Sequence, residues 1–332
     1  MSNPWLQFIA CALLIVFAGV RLTRSAAMIA QKTGIGSLWA GALLLPFATS
    51  LPEAVTTFRA VLINTPDLAM GNILGSCLYN LFLLSFIDLL EGRKPLSAKV
   101  SSIHILPASL GIIAISLLSL GVLRIVIYPF GWVGVESLLI IVLYIGGNRL
   151  IYRQEKKLNH FTLTEELKPG KKDRETVKAV FNFMVAALVI LTAGSLLTDA
   201  ADSIAIVTGL GHTFIGSIFL AISTSLPETV TTISAVKLGY LDMAVANIFG
   251  ANFMNLLIIA MADLFFLKGP ISVYVSGNHS LTIMMVIVFT AVMIAGFVYR
   301  SSVSLARMGL DTLAILVAYP VIVIFLLRFA GN

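Results

Sequence analysis

The sequence predicts an all-α polytopic membrane protein, with ten transmembrane helices arranged as two inverted five-helix repeats. Three observations lead there. The 332 residues are 58% hydrophobic and only 11% charged, with a mean hydropathy of +0.99, too few charged groups to cover a soluble surface of this size. Scanning for apolar runs gives about ten segments long enough to cross a bilayer. Finally, sliding the chain over itself by 175 residues aligns Ala18–Leu89 with Ala193–Leu264 without a gap, and 31 of 72 positions are identical, so each half is one copy of a single unit.

The expected spans are, in order, about 4–23, 38–63, 67–90, 102–121 and 132–150 in the first half, and about 178–198, 213–237, 242–267, 279–299 and 309–328 in the second. The first span lacks the basic leader of a signal peptide and matches residues from 193 onward, so it is expected to stay in the mature protein. The second, third, seventh and eighth spans are interrupted by Pro, Gly and polar residues, and these four carry the repeated motifs. Residues 1–150 therefore form the first repeat, with its motif at about 33–90. Residues 178–332 form the second, with its motif at about 208–265, and 151–177 is a polar linker too short for a regulatory domain. The motif regions share Thr33-Gly34-x-Gly36 with Thr208-Gly209-x-Gly211, and Asp67 with Asp242; at 175 residues' distance Tyr144 is matched by Tyr319.

Of the 22 Lys and Arg, about 18 fall on one side if the linker is cytoplasmic, among them Arg21, Arg24, Lys32, Arg93, Lys94, Lys99, Lys237, Arg300 and Arg307. Only Arg59, Arg124, Lys268 and Arg328 fall on the other. The basic balance thus reports orientation and not a nucleic-acid partner, and both termini are expected outside. Five spans separate equivalent points, so the second repeat enters the membrane from the opposite side. Cys11 and Cys77 both lie in apolar spans, where packing is the expected role. EF-hand, P-loop, HExxH and GxSxG patterns do not occur, which argues against an enzyme.

The chemistry lies in Thr49-Ser50-Leu51-Pro52-Glu53 and its copy Thr224-Ser225-Leu226-Pro227-Glu228. A carboxylate inside a membrane span costs at least a few kcal/mol and is a functional-site hypothesis by default. Pro52 and Pro227 have no N–H to give to the carbonyls of Ala48 and Ser223, so each motif offers a carboxylate, two hydroxyls and a freed carbonyl within about a turn and a half of helix. These are hard oxygen donors suited to Ca²⁺, and two glutamates neutralise one divalent ion. The partner segments Gly71-Asn72 to Asn80 and Ala246-Asn247 to Asn255 add glycines for close approach and amide oxygens as neutral ligands. Asn72 and Asn80, eight residues apart, fall near one helix face.

The paired T-S-L-P-E and G-N-x-x-G-[SA]-x-x-x-N segments resemble the alpha-repeats of the sodium/calcium exchanger branch of the cation/Ca²⁺ antiporter superfamily. The resemblance implies ten helices in two inverted repeats and a central cation site on Glu53 and Glu228. It further implies Thr49, Ser50, Thr224 and Ser225 as ligands through hydroxyl or carbonyl, joined by Ser76, Asn80 and Asn255. No cofactor is expected: Ca²⁺ and Na⁺ are transported ions. Its surroundings are the lipid bilayer of a prokaryotic inner or plasma membrane, and a monomer is the expected unit.

Three positions depart from that pattern. Cys77 stands where the first repeat usually has Asn, and Ala251 where the second usually has a ligating Ser. Asn255 occupies a position that often carries Asp. The leading expectation is Ca²⁺/Na⁺ exchange by alternating access around a midplane site; a Ca²⁺/H⁺ antiporter, with a buried glutamate carrying the proton, is the alternative. An open cation channel fits less well, because a fixed site between inverted repeats suits alternating access. Asp88 and Asp263 lie about 12 Å beyond Asn80 and Asn255, where they either guard ion pathways or sit at helix ends in headgroup water. Glu136 and Asp311 begin the fifth and tenth spans, where an acid favours the helix N-terminal dipole.

Overall fold

The computed structural model describes residues 3–33, 39–91, 95–125, 129–162, 174–208, 220–300 and 308–330. The shared glycines Gly34, Gly36, Gly209 and Gly211, the linker residues 163–173 and the 213–219 start of the seventh span lie outside them. The first half contains α1 (Pro4–Thr33), α2 (Ala40–Thr49), α3 (Leu51–Leu62), α4 (Pro66–Glu91), a short α5 (Leu96–Lys99), α6 (Ile105–Val122) and α7 (Val135–Thr162). A two-stranded hairpin, Pro129–Phe130 with Val133–Gly134, precedes α7. The second half contains α8 (Arg174–Thr208), α9 (Leu220–Thr224), α10 (Leu226–Lys237), α11 (Leu241–Asp263), α12 (His279–Tyr299) and α13 (Leu310–Ala330). Seven of these helices are long and apolar enough to cross a membrane, and Ala40–Thr49 and Leu310–Phe325 are shorter apolar helices.

The 175-residue offset that relates the sequences also relates the helix boundaries: α3 begins at Leu51 and α10 at Leu226, α4 at Pro66 and α11 at Leu241, α7 at Val135 and α13 at Leu310. Several of the sequence-derived limits differ. The first and sixth spans run ten residues beyond 23 and 198, to Thr33 and Thr208, where α1 and α8 pack along one another. The ends of the linker are helical, α7 continuing to Thr162 and α8 starting at Arg174. At the linker's near end, the buried Glu155 accepts the Trp39 backbone N–H at 2.6 Å.

The helix α11 is the centre of the molecule, with 94% of its apolar window buried against 33% for α1. It touches α2, α3, α4, α6, α7 and α10. One reason it sits so deep is Gly250: a Cβ there would collide with the Ala42 backbone, and a Cβ at Gly41 would collide with the Met243 carbonyl and Ala246. The two glycines let α2, whose first five residues are π-helical, lie backbone to backbone on α11.

The acidic residues at the far ends of α4 and α11 have a role the sequence did not assign. Asp88 and Asp263 are fully buried, not in headgroup water. Asp88 accepts the Leu96 N–H at 2.7 Å and the Gly309 N–H at 3.0 Å, and the Thr312 hydroxyl donates to it. Asp263 accepts the Ile271 N–H at 2.6 Å and the Gly134 N–H at 2.8 Å. Leu96 and Ile271, like Gly134 and Gly309, are related by the offset. Each carboxylate thus caps the last long helix of the opposite half, satisfying amides that such a helix start leaves orphaned. Glu136 and Asp311 lie in the first turns of α7 and α13 as the dipole argument expects; Ser272 donates to Glu136, and the offset-related Ser97 hydrogen-bonds Asp311.

A candidate cation site between the halves

Each T-S-L-P-E motif breaks its helix at the serine. Ser50 has φ −84° and ψ 9°, and Ser225 φ −85° and ψ 9°, both outside the helical basin. The following proline sits in the first turn of the next helix, where its missing N–H costs nothing. The break aims the hydroxyl and carboxylate of the motif inward, away from their own helix. Thr49 keeps a local bond, donating to the Leu45 carbonyl at 3.0 Å.

The two motifs then grip one another. The Ser50 hydroxyl donates to Glu228 Oε1 at 3.0 Å, and the Ser225 hydroxyl donates to Glu53 Oε1 at 3.2 Å. Thr49 also reaches Glu228, and Thr224 reaches Glu53. Each glutamate is therefore held by the Thr-Ser pair of the other half. Ser76 joins one side only, its oxygen accepting from the Ser225 hydroxyl at 3.0 Å, so that the single Ser225 proton is shared between Ser76 and Glu53. Its repeat-mate is Ala251, so the Glu228 side has no such hydroxyl.

The nine residues that the sequence marks, Thr49, Ser50, Glu53, Ser76, Asn80, Thr224, Ser225, Glu228 and Asn255, are all at most 1% exposed. Four of their oxygens are buried without a hydrogen-bond partner: Glu53 Oε2, Glu228 Oε2, Asn80 Oδ1 and Asn255 Oδ1. They form two pairs across the repeat. A buried polar atom without a partner costs about 1–3 kcal/mol, more when charged, so a fold keeps four of them only if something else compensates. Among the described residues no Lys, Arg or His forms an ion pair with either glutamate. The arrangement has the chemistry to hold a cation: two carboxylates, hydroxyls and two amide oxygens, all hard donors.

The amides two turns earlier spend their NH₂ groups within their own half, although Asn247 Oδ1 is also buried without a partner. Asn72 donates to the Thr57 hydroxyl at 3.1 Å and Asn247 to the Thr232 hydroxyl at 2.9 Å, tying α3 to α4 and α10 to α11. Asn72 is also reached by the Thr224 hydroxyl at 3.5 Å. These two brace the frame on which the glutamates sit. Asn252 is a residue that sequence reasoning passed over: it is buried and bonds Asn80. Its repeat-mate is Cys77, so comparing the halves hides it.

Residues 3–148 and 178–328 match the family model described as sodium/calcium exchanger protein. The inner membrane protein YrbG of Escherichia coli (strain K12) is 28% identical over 290 residues, covering 83% of this chain and 84% of that protein. The putative antiporter CaxA of Alkalimonas amylolytica is 26% identical over 277 residues, covering 82% and 83%, and the sodium/calcium exchanger MaX1 of Methanosarcina acetivorans 23% over 287 residues, covering 75% and 79%. A solved structure of the sodium-calcium exchanger NCX_Mj, soaked with 10 mM Na⁺ and zero Ca²⁺, has the same fold, with a TM-score of 0.74 at 18% identity, covering 98% of this chain and 99% of that one. The chain belongs to the sodium/calcium exchanger family and is a membrane antiporter.

Proposed function

We propose that this member of the sodium/calcium exchanger family exchanges Ca²⁺ for Na⁺ by alternating access around the site between its two T-S-L-P-E motifs. Glu53 and Glu228 neutralise the divalent ion, Asn80 and Asn255 offer amide oxygens, and Thr49, Ser50, Thr224, Ser225 and Ser76 supply hydroxyl or carbonyl oxygens. The observation that carries the reading is the set of four partnerless buried oxygens in two repeat-related pairs. Ca²⁺ takes six to eight oxygens in a flexible shell, and the net charge of two carboxylates equals that of one Ca²⁺ or two Na⁺. A site that either cargo can fill, but not both together, is the requirement for coupled exchange.

The repeat supports an architecture of ten spans in two inverted halves, 1–150 and 178–332, with the 151–177 linker cytoplasmic, both termini outside and the site near the midplane. The charge asymmetry supports that orientation, the likeness to an inner membrane protein of Escherichia coli supports a prokaryotic inner or plasma membrane, and one chain supplies both sides of the site, so a monomer suffices. The sodium assignment rests on the T-S-L-P-E cores; proton coupling is the rival.

The test is Ca²⁺ flux into liposomes holding the purified protein, with Na⁺ and pH gradients imposed separately. Uptake driven by outward Na⁺ at equal pH is expected. Uptake that responds to the pH gradient alone replaces sodium by protons, and uptake without either gradient at high conductance replaces the antiporter by a channel.

A further inference from the structure

We propose that Asn252 and Cys77 are positioning residues, each anchoring a short hydrogen-bond relay that turns the side-chain oxygen of Asn80 or Asn255 toward the cation. The inference rests on the site reading above and deepens it. Asn80 donates its amide N–H to Asn252 Oδ1 at 2.9 Å, and Asn252 donates its own to the Cys77 backbone carbonyl at 3.1 Å. Asn80 is fully buried and Asn252 6% exposed.

An isolated amide side chain can be turned over, exchanging its oxygen and nitrogen. This relay cannot. The Cys77 carbonyl only accepts, so Asn252 must present its NH₂ there and its oxygen to Asn80. Asn80 must then present NH₂ to Asn252, which leaves its oxygen facing away, partnerless and buried. A fixed acceptor two links away thus decides that a carbonyl oxygen, and not an NH₂ that would repel a cation, points at the site. Orienting partners of this kind matter to metal sites almost as much as the ligands themselves.

The second half repeats the relay with a different middle link. Cys77 is the repeat-mate of Asn252; its thiol points to the Asn252 backbone carbonyl, 3.8 Å away, and its side chain hydrogen-bonds Asn255. The direction is conserved: the carbonyl accepts from the thiol, the sulfur accepts from the Asn255 NH₂, and Asn255 Oδ1 is left without a partner. The strength is not, because S–H is a weak donor and sulfur a weak acceptor. The Asn80 oxygen is therefore firmly aimed and the Asn255 oxygen loosely aimed.

The test is Ca²⁺ binding to the purified full chain in detergent, measured by isothermal titration calorimetry. Asn252→Leu is expected to raise the Ca²⁺ Kd about 10-fold. Because Asn252 acts through Asn80, the double variant with Asn80→Ala should be no weaker than Asn80→Ala alone. Additive losses, or an unchanged Kd for Asn252→Leu, overturn the first relay. Cys77→Asn, which gives the second relay an amide link, should tighten binding about threefold and lose that gain when Asn255→Ala is added. No gain overturns the second relay, and this variant decides the proposal if Asn252→Leu does not fold. Glu53→Gln separates the two levels: normal Ca²⁺ binding by that variant sinks the site itself, whereas lost binding beside a silent Asn252→Leu sinks only the relay.

Discussion

The two halves of the proposed cation site share a backbone and differ in side chains. Ser50 and Ser225 have φ and ψ within a degree of each other, and Glu53 and Glu228 are held by the same crossed serine bonds. Around that common centre, Ser76 faces Ala251 and Cys77 faces Asn252 across the repeat. The glutamate of the first half sits in a hydroxyl cluster with Ser225 and Ser76; that of the second half has Ser50 and Thr49 and nothing at the Ala251 position. An internal duplication therefore fixes the geometry of the cage symmetrically and leaves its chemistry free to diverge residue by residue. The carboxylates cannot diverge without changing the charge of the cage, and the peripheral donors can.

The strongest way to break the comparison is at the centre, where the halves should be equivalent. Glu53→Gln and Glu228→Gln are each expected to abolish Ca²⁺ uptake while the protein inserts and stays monodisperse, because a divalent ion is then under-neutralised in a low-dielectric setting. Near-normal uptake by one of the two would show that the halves contribute unequally even there.

The next largest effect falls on stability and should again be symmetrical. Asp88→Ala and Asp263→Ala each strip a charged acceptor from two buried backbone N–H groups, one in each half, and hydrogen bonds to a charged group contribute about 1.5–3 kcal/mol each. Thermal unfolding in detergent should drop by several degrees for both. A drop confined to one variant would mean that only one of the crossed caps holds the halves together.

Smaller and opposite effects are expected where the halves differ. Ser76→Ala removes the hydroxyl beside Ser225 and should weaken activation by Na⁺ by about threefold, whereas Ala251→Ser adds the missing one and should strengthen it by a similar factor; a hydrogen-bonding or ligating hydroxyl is typically worth about 0.5–1.5 kcal/mol. Equal responses of the same sign would remove Ser76 from the site. The smallest change in shape is Asn255→Asp, nearly isosteric, which adds a carboxyl to a cage of formal charge about −2. It should alter the voltage dependence of exchange with little change in thermal stability. Flux measured against imposed membrane potential checks this, and an identical voltage response would place Asn255 outside the cage.

Much of the molecule is legible in the chain because the signals are local or repeated. Apolar runs give the helices, since only a long apolar helix satisfies its own backbone in lipid. The helix break at Ser50 and Ser225 follows from the proline two residues on, and an intramembrane glutamate announces itself by its cost. The nine residues marked from sequence do lie buried at the helix breaks and on the facing stretches of α4 and α11. What was read less well depends on partners far away in the chain. Asp88 and Asp263 read as guards of ion pathways or as helix-end acids in water until Gly309 and Gly134 are seen to donate to them. Asn252 stands out only once Asn80 is found opposite.

By itself, the sequence determined that two copies of one unit each carry a carboxylate beside a proline-broken helix, because composition, periodicity and duplication act within a segment. Only the tertiary structure decided that each glutamate is held by the other half's serine, and that each terminal aspartate caps the other half's last helix. The physical reason is that these bonds cross between the repeats, 172 and 178 residues apart for the serines and 221 and 129 for the caps. A hydrogen bond needs its partners within about 3 Å, and no pattern along the chain records which amide or hydroxyl will arrive there. The direction of the Asn80 oxygen belongs to the same class: it is fixed by the Cys77 carbonyl, an atom that every residue type possesses and that only packing can place.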